Sequence, residues 1–188
     1  MTPDREPITE EELRSVTIGA LEPLAERIRL VEYDPRWPAL YERKAERVRE
    51  ALGKQALRIE HTGSTSVPGL AAKPVIDMLL VVVDSADEDS YLPPLARAGY
   101  TLRVREPRWH EHRMFRGSDP AVNLHVHTLG CPEIDRMLTF RDRLRADAGE
   151  RLRYERVKRE LAEKDWKYVQ NYADAKSYVI EEIIARTR

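Results

Sequence analysis

The chain has 188 residues, of which 41% are hydrophobic and 35% charged, a composition typical of one soluble globular domain. The formal net charge of -1 at pH 7 argues against duplex DNA or an anionic membrane as partner, since both usually attract a basic protein. No apolar run approaches the roughly 20 residues of a membrane span. Because Cys131 is the single cysteine and the first residues are polar, we expect a cytoplasmic protein without an internal disulfide.

Two regions differ in composition. Residues 1–22 are polar and acidic and are predicted to be peripheral, with Thr9 and Glu12 at the spacing of a helix capping box. Residues 23–188 contain no internal repeat, low-complexity tract or linker, so a single domain is predicted over this range.

The secondary structure predicted for that domain begins with mixed strands and helices and ends with helices alone. Apolar residues at helical spacing predict helices, whereas short apolar or alternating runs predict strands. In chain order the predicted elements are a strand over 27–34, a helix over 35–52 begun by Pro35 and ended by Gly53, strands over 56–61 and 74–83, a helix over 87–99, strands over 101–106, 111–117 and 121–129, and helices over 133–147, 150–164 and 174–187. This order indicates an α+β fold in which a mixed sheet is flanked by N-terminal and C-terminal helices.

A glycine- and hydroxyl-rich turn, Gly63-Ser64-Thr65-Ser66, separates the strands predicted at 56–61 and 74–83. Glycine permits close approach of the backbone, main-chain amides can point into one concavity, and hydroxyls add donors, as phosphate binding requires. Hydroxyl-rich turns also cap helices. The turn alone therefore predicts either a cap or a phosphate site.

One carboxylate, Asp77, stands near the start of the most apolar strand. A lone ionised carboxylate in a dry sheet is costly unless it is paired or binds a cation. We therefore expect Asp77 to open into a cleft beside the turn and to hold a divalent metal that carries a substrate's phosphates. Lys73 would neutralise phosphate charge there, and the alternative is a structural ion pair between Lys73 and Asp77.

The segment HTGSTSVPGLAAKPVIDMLLVV closely resembles the GrpB family, as do the later segments HRMFRG, NLHVHTLG, FRDRLRAD, YERVKRELA and KSYVIEEIIA. The resemblance runs from about Leu30 to Ile184 and implies the fold of the polymerase-beta-like nucleotidyltransferases. Relatives of this module also occur fused behind dephospho-coenzyme A kinase. Because the chain has no kinase P-loop of the G-x-x-x-x-G-K-[ST] kind, that kinase activity is not expected.

The resemblance also implies roles for particular residues. Gly63 and Ser64 would hold a triphosphate and Asp77 would be the first metal-binding acid, which makes Ser64 and Asp77 the catalytic candidates. Working nucleotidyltransferases carry a second acid two positions later and a third on a neighbouring strand, and together these hold two Mg²⁺ ions. The second position here is Leu79. The resemblance is therefore compatible with an altered nucleotidyltransferase or with a catalytically inactive nucleotide-binding module.

Two histidines are candidates to replace the missing acid. Asn123, His125 and His127 alternate along a predicted strand and so share one face. If that face meets Asp77, then Asp77, His125 and His127 form a site for Mg²⁺, Mn²⁺ or Zn²⁺. The alternative is that these imidazoles face solvent or form hydrogen bonds without a metal. His61 is a weaker candidate, and His110 and His112 are expected at the surface of a hairpin.

The predicted ligand is a nucleotide or another phosphorylated small molecule. Arginine side chains suit phosphate recognition. Arg113 and Arg116 stand in the family-like segment HRMFRG, although a solvated basic hairpin remains the alternative. Lys158 and Lys176 also match family positions and could line the same cleft, or could simply be solvated. The predicted phosphate-binding set is Gly63, Ser64, Thr65, Ser66, Lys73, Arg113 and Arg116.

Overall fold

The computed structural model describes residues 8–186, and its strands form one mixed sheet. The strand order is β1-β2-β5-β4-β3, with β2 and β5 parallel and the other neighbours antiparallel. The strands are β1 (Arg58–Thr62), β2 (Ile76–Val82), β3 (Thr101–Glu106), β4 (His112–Gly117) and β5 (Val122–Thr128). The α+β prediction is confirmed.

Helices cover both faces of this sheet. They are α1 (Glu10–Val16), α2 (Trp37–Leu52), α3 (Glu88–Arg97), α4 (Pro132–Ala146), α5 (Ala148–Ala162), α6 (Val169–Asp174) and α7 (Ser177–Ala185). Within residues 8–186, none of these helices has the length and apolar character needed to cross a membrane.

The strand β2 is buried on both sides, as its unbroken apolar run predicts. Met78 and Leu80 share a core with residues of α2 and α3, whereas Leu79 packs with Ile134 and Leu138 of α4. Met78, Leu79 and Leu80 are all 0% exposed. Each such side chain stabilises the fold by about 1.5–3 kcal/mol through burial alone. The two faces of the sheet are therefore distinct, with α2 and α3 on one and α4 on the other.

A second apolar cluster attaches the C-terminal helices to the chain that follows the glycine-serine turn. Val67 and Leu70 are 0% exposed and pack with Tyr154 of α5 and with Val179 and Ile183 of α7. This packing brings α5 and α7 over the start of β2. Side chains of these helices therefore reach the turn.

The structure lacks one predicted strand, moves the start of the first long helix, and adds the short helix α6, which was not predicted. The strand predicted over 27–34 is wrong, because the segment makes only an isolated bridge between Val31 and Ala72. Ile28 is instead buried against Leu161 and Tyr172, so apolar burial beside the C-terminal helices replaces pairing in the sheet. Helix α2 begins at Trp37 rather than at Pro35.

The predicted capping box is confirmed at the start of α1. The Thr9 hydroxyl accepts a hydrogen bond from the Glu12 amide, and the Glu12 carboxylate accepts one from the Thr9 amide. After α1, the Ile18 amide donates to the Arg103 carbonyl at 2.8 Å. This segment therefore lies along the edge strand β3, and residues 1–7 of the predicted peripheral segment lie outside the described range.

Candidate functional site

The turn after β1 and the acid of β2 lie against each other. Gly63 has φ 66° and ψ -174°, a backbone region that essentially only glycine occupies. A Cβ atom on Gly63 would stand 2.3 Å from Asp77 Oδ2. Glycine is required here because it leaves room for the carboxylate. The structure thus brings together Gly63 and Asp77, two of the predicted site residues.

The Asp77 carboxylate is held by an amide of the neighbouring strand. Asn123 pairs with Asp77 in the register of β5 and β2, and its Nδ2 donates to Asp77 Oδ1 at 2.9 Å. Burial raises the pKa of Asp77 although Asn123, Lys73 and Lys176 favour the charged form. No ion pair joins Lys73 to Asp77 in the described part of the chain, so the alternative of a purely structural pair is not what the structure shows.

A buried lysine of α5 contacts the turn directly. Lys158 is 2% exposed, and its Nζ donates to Ser64 Oγ at 3.1 Å and to the Ala71 carbonyl. The same Nζ lies 5.0 Å from the ring centroid of Tyr154. Burial, aided by repulsion from Lys176, lowers the pKa of Lys158 to about 7.

Two further lysines flank the ring of Tyr172. The Nζ atoms of Lys73 and Lys176 lie 5.8 Å and 4.5 Å from its centroid. Neither ammonium group forms a hydrogen bond or an ion pair within residues 8–186. Burial lowers the pKa of Lys73 and lowers that of Lys176 to about 8, and the two lysines repel each other. We call Ser64, Lys73, Asp77, Lys158 and Lys176 the lysine cluster.

The other hydroxyls of the turn are used inside the fold. Ser66 Oγ donates to the Gly63 carbonyl at 2.6 Å, and Thr65 Oγ1 lies 3.0 Å from His61 Nε2. His61 stacks on Tyr41, with ring centroids 4.7 Å apart, on the sheet face opposite to Asp77. Of the four turn residues, the structure therefore brings Gly63 and Ser64 to the lysine cluster and gives Thr65 and Ser66 structural contacts.

The two predicted arginines point to opposite faces of the sheet. Arg116 pairs in register with Asn123, is exposed, and lies close enough to lower the pKa of Lys73. Arg113 pairs with Val126 of the opposite core, and its Nε lies 2.5 Å from Glu88 Oε1. The structure does not bring Arg113 to the lysine cluster, because residues three apart on a strand face opposite sides.

The histidines form a separate group, which we call the imidazole cluster: His112, His125 and His127. His112 Nδ1 lies 2.7 Å from Glu106 Oε2, and His112 Nε2 lies 3.0 Å from His125 Nδ1. Burial lowers the pKa of His125 to about 3 and that of His127 to about 2. His112 is 6% exposed, so the prediction that it lies at the surface is wrong.

The residues present do not fit the predicted metal site. Asp77 is bonded to Asn123 and faces lysines, whereas His125 and His127 pair in register with Leu79 and Val81 further along β2. Residues 8–186 contain no group of three or more His, Cys, Asp or Glu side chains arranged to hold a metal ion. Lysine neighbours also disfavour a second cation at Asp77. Asp77, His125 and His127 therefore do not form one set of metal ligands.

For Lys158 and Lys176 the sequence left two alternatives open, a place in the cleft or a solvated helix surface. A signal for Lys158 was present, because Tyr154, Lys158 and Leu161 stand at helical spacing on the buried stripe of α5. A lysine within an apolar stripe has to direct its ammonium group to a polar partner. Lys176 carried no such signal, since it precedes α7 and its surroundings depend on how the helices pack.

The fold and the site define the class of protein: one mixed sheet flanked by helices, with a basic site at a glycine-serine turn. The family model described as "GrpB protein" matches residues 27–186, and the chain therefore belongs to the GrpB protein family. It is 59% identical to a UPF0157 protein of Halalkalibacterium halodurans over 180 residues, which cover 96% of this chain and 92% of that protein.

One relative is a longer protein, whereas a solved structure is matched over nearly its whole length. A dephospho-CoA kinase of Mycolicibacterium paratuberculosis is 36% identical over 159 residues, covering 70% of this chain but 39% of the kinase. Among solved structures, the crystal structure of the conserved protein GrpB from Enterococcus faecalis is similar to this chain, with a TM-score of 0.73 and 29% identity. That similarity covers 84% of this chain and 98% of the Enterococcus protein.

Proposed function

We propose that this protein binds a phosphorylated small molecule, with a nucleotide as first candidate, at the lysine cluster. The observation that carries the proposal is that the ammonium groups of Lys73 and Lys176, beside the buried Lys158, form no hydrogen bond or ion pair with the residues that the structure describes. Asp77 acts electrostatically on Lys73 and Lys176, and Asp174 also acts on Lys176. Lys73 and Lys176 are partly buried, and charge removed from water without a partner is costly, so a multiply charged anion would stabilise this arrangement.

The groups around Ser64 suit phosphate oxygens. Lysines act as point charges for phosphate. The Ser64 hydroxyl supplies a further donor. Arg116, exposed on the same sheet face, would meet the outer part of the ligand.

The comparisons guide the choice of ligand. Part of a protein named dephospho-CoA kinase is similar to this chain, which favours nucleotide-containing compounds such as coenzyme A derivatives. The resemblance to polymerase-beta-like nucleotidyltransferases favours nucleoside triphosphates. A panel for binding therefore contains ATP, GTP, coenzyme A, dephospho-coenzyme A and inorganic pyrophosphate.

The side chains around Asp77 support binding more than two-metal nucleotidyl transfer. Leu79 occupies the position of the second acid and packs beneath α4, and the neighbouring strand offers the amide of Asn123. Both positions lack the oxygen anions that hold Mg²⁺ in such enzymes. We therefore favour the reading of a binding module that needs no resident metal.

Calorimetry of the panel with excess chelator tests the proposal. We expect at least one nucleotide to bind, and Lys176→Met to weaken it by about 10- to 100-fold, because a charged hydrogen bond contributes about 1.5–3 kcal/mol. Lys164→Met is the matched control, since Lys164 is an exposed lysine beyond α5. Equal affinity for wild type and Lys176→Met would contradict the proposal.

Proton uptake gives a second readout. The pKa of Lys176 is lowered to about 8, and a bound anion would raise it. Binding at pH 8 should therefore take up protons, which appears as a binding enthalpy that depends on the buffer. Binding that requires Mg²⁺ and is abolished by Asp77→Ala but not by Lys176→Met would instead favour a metal site.

A further inference from the structure

The contact between Ser64 and Lys158 has the geometry of a nucleophile and its base. Ser64 Oγ lies 3.1 Å from Lys158 Nζ, within the ~2.6–3.2 Å reach that activation of a hydroxyl requires. The Ala71 carbonyl holds the same Nζ, so the amine is fixed relative to the hydroxyl. Ser64 itself is half-buried.

The surroundings of Lys158 favour a neutral amine. Its Nζ forms no ion pair within the described residues and is almost completely buried. The charged groups that act on it are Lys176 before α7 and, on α5 itself, Glu155 and Arg159. Two of these three are cations. Burial and net repulsion together lower the pKa of Lys158 to about 7, so the amine can accept a proton near neutral pH.

The other hydroxyls of the turn are not placed in this way. Ser66 Oγ donates to a backbone carbonyl of the turn, and Thr65 Oγ1 pairs with the imidazole of His61. Ser64 is thus the turn residue whose hydroxyl is bonded to a lysine in the described part of the chain. A purely structural turn does not need this contact, because the hydrogen bond of Ser66 already closes it.

We infer that Ser64 is a nucleophile, with Lys158 as its general base, toward a phosphoric anhydride bound at the lysine cluster. The inference deepens the proposed function and takes the ligand class from it. Ser64 Oγ attacks phosphorus while the hydroxyl proton passes to the Lys158 amine. An O–P bond forms, the anhydride P–O bond breaks, and its electron pair leaves with the departing phosphate or pyrophosphate.

The second half of the reaction regenerates the protein. Lys158 returns its proton to the leaving group. Water or an alcohol then attacks phosphorus while Lys158 accepts its proton. A new O–P bond forms, the bond between phosphorus and Ser64 Oγ breaks, and Lys158 delivers the proton to Ser64 Oγ. Lys73 and Lys176 would stabilise the negative charge that develops on the phosphoryl oxygens. All bonds and protons balance without an added oxidant, reductant or metal.

A neutral fluorophosphonate probe tests the inference separately from anion binding, since the probe carries no charge for the lysine cluster to recognise. We expect a covalent adduct on Ser64, located by peptide mass spectrometry. The labelling rate should rise with pH through about 7, following one proton. Lys158→Met and Lys158→Arg should label at least ~100-fold more slowly, whereas Lys164→Met should label at the wild-type rate.

Thermal melting shows whether the Lys158 variants fold. The pH profile of the wild-type labelling rate tests the inference without any variant. Wild-type labelling that is flat with pH, absent, or confined to other hydroxyls would overturn the inference. Labelling of a folded Lys158→Met variant at the wild-type rate would also overturn the inference. If calorimetry shows nucleotide binding but Ser64 is not labelled, the proposed function stands and the nucleophile does not.

Discussion

The lysine cluster and the imidazole cluster lie on the same face of one sheet, yet they differ in how their side chains are paired. In the lysine cluster, the ammonium groups of Lys73 and Lys176 have no hydrogen-bond partner within residues 8–186. In the imidazole cluster, His112 contacts Glu106 and His125, and His127 Nδ1 lies 3.6 Å from Cys131 Sγ.

Residue type alone therefore does not identify a binding site. Histidines are the commoner metal ligands and the usual acid-base groups, but here they satisfy one another inside the fold. Lysines, which are usually solvated, hold the charge that remains uncompensated. A ligand is drawn to groups whose hydrogen bonds and charge are unmet, because buried unpaired polar groups are costly.

Enlarging Gly63 should give the largest effect, by breaking the lysine cluster where the turn meets Asp77. In Gly63→Ala, the new Cβ would meet Asp77 Oδ2 at 2.3 Å in a backbone region unsuited to alanine. We expect a loss of about 4 kcal/mol in the free energy of unfolding, from backbone strain and overpacking together. Urea denaturation of both proteins measures it.

Gly69→Ala is the matched control for this substitution. Gly69 has φ 78°, but no atom within 4 Å would meet its added Cβ. The left-handed backbone alone should therefore cost about 1 kcal/mol. Equal losses for the two variants would mean that contact between Gly63 and Asp77 does not matter to the fold.

Raising the pH should stabilise the protein through Lys158. Its pKa is about 7 in the fold against an ordinary 10.5, so above pH 7 the unfolded chain binds the extra proton. Stability then rises with pH, by about 2.3 kcal/mol for this group between pH 7 and pH 9. Denaturation at both pH values should show a larger gain in wild type than in Lys158→Met, which keeps the contribution of Lys176. Parallel pH profiles would refute this.

Lowering the pH should destabilise the protein through the imidazole cluster, with a smaller effect per residue. The pKa of His127 is lowered from an ordinary 6.5 to about 2, so below pH 6.5 the unfolded chain binds the proton first. Each histidine lowered in this way should cost about 2 kcal/mol at pH 5. His127→Phe keeps a ring and cannot titrate, so its free energy of unfolding should fall by correspondingly less between pH 7 and pH 5.

His110→Gln serves as the control for the acid measurement, because His110 is only partly buried at the hairpin. His61 will add a loss of its own below pH 6.5, since burial lowers its pKa to about 4. A His127→Phe profile that matches wild type would show that the imidazole cluster is not the source of the acid sensitivity.

Much of the fold was predictable because local patterns and burial agree. The apolar run of β2 specified a strand with two covered faces, and the helical spacing after Trp37 specified α2. The segment 27–34 has the alternation of a strand but lies beside Leu161 and Tyr172. Alternation of apolar and polar residues shows which side chains are buried, but it does not show which elements they pack against.

Part of the site was predictable for the same reason. Gly63, Ser64 and Asp77 are joined by short connections, so their proximity follows from two adjacent strands. The separation of Arg113 from Arg116 also followed from strand alternation, since an odd spacing reverses the face. The prediction that both bind phosphate gave more weight to the motif than to this geometry.

By itself, the sequence determined the order of strands and helices, the family, and a glycine-serine turn next to a buried acid. Only the tertiary structure decided which charges meet, because Lys158 and Lys176 reach Ser64 and Asp77 from helices that follow the whole sheet. The register of β2 and β5 likewise set His125 beside Leu79 instead of Asp77. Contacts between distant segments depend on helix packing and strand register, which no local pattern specifies.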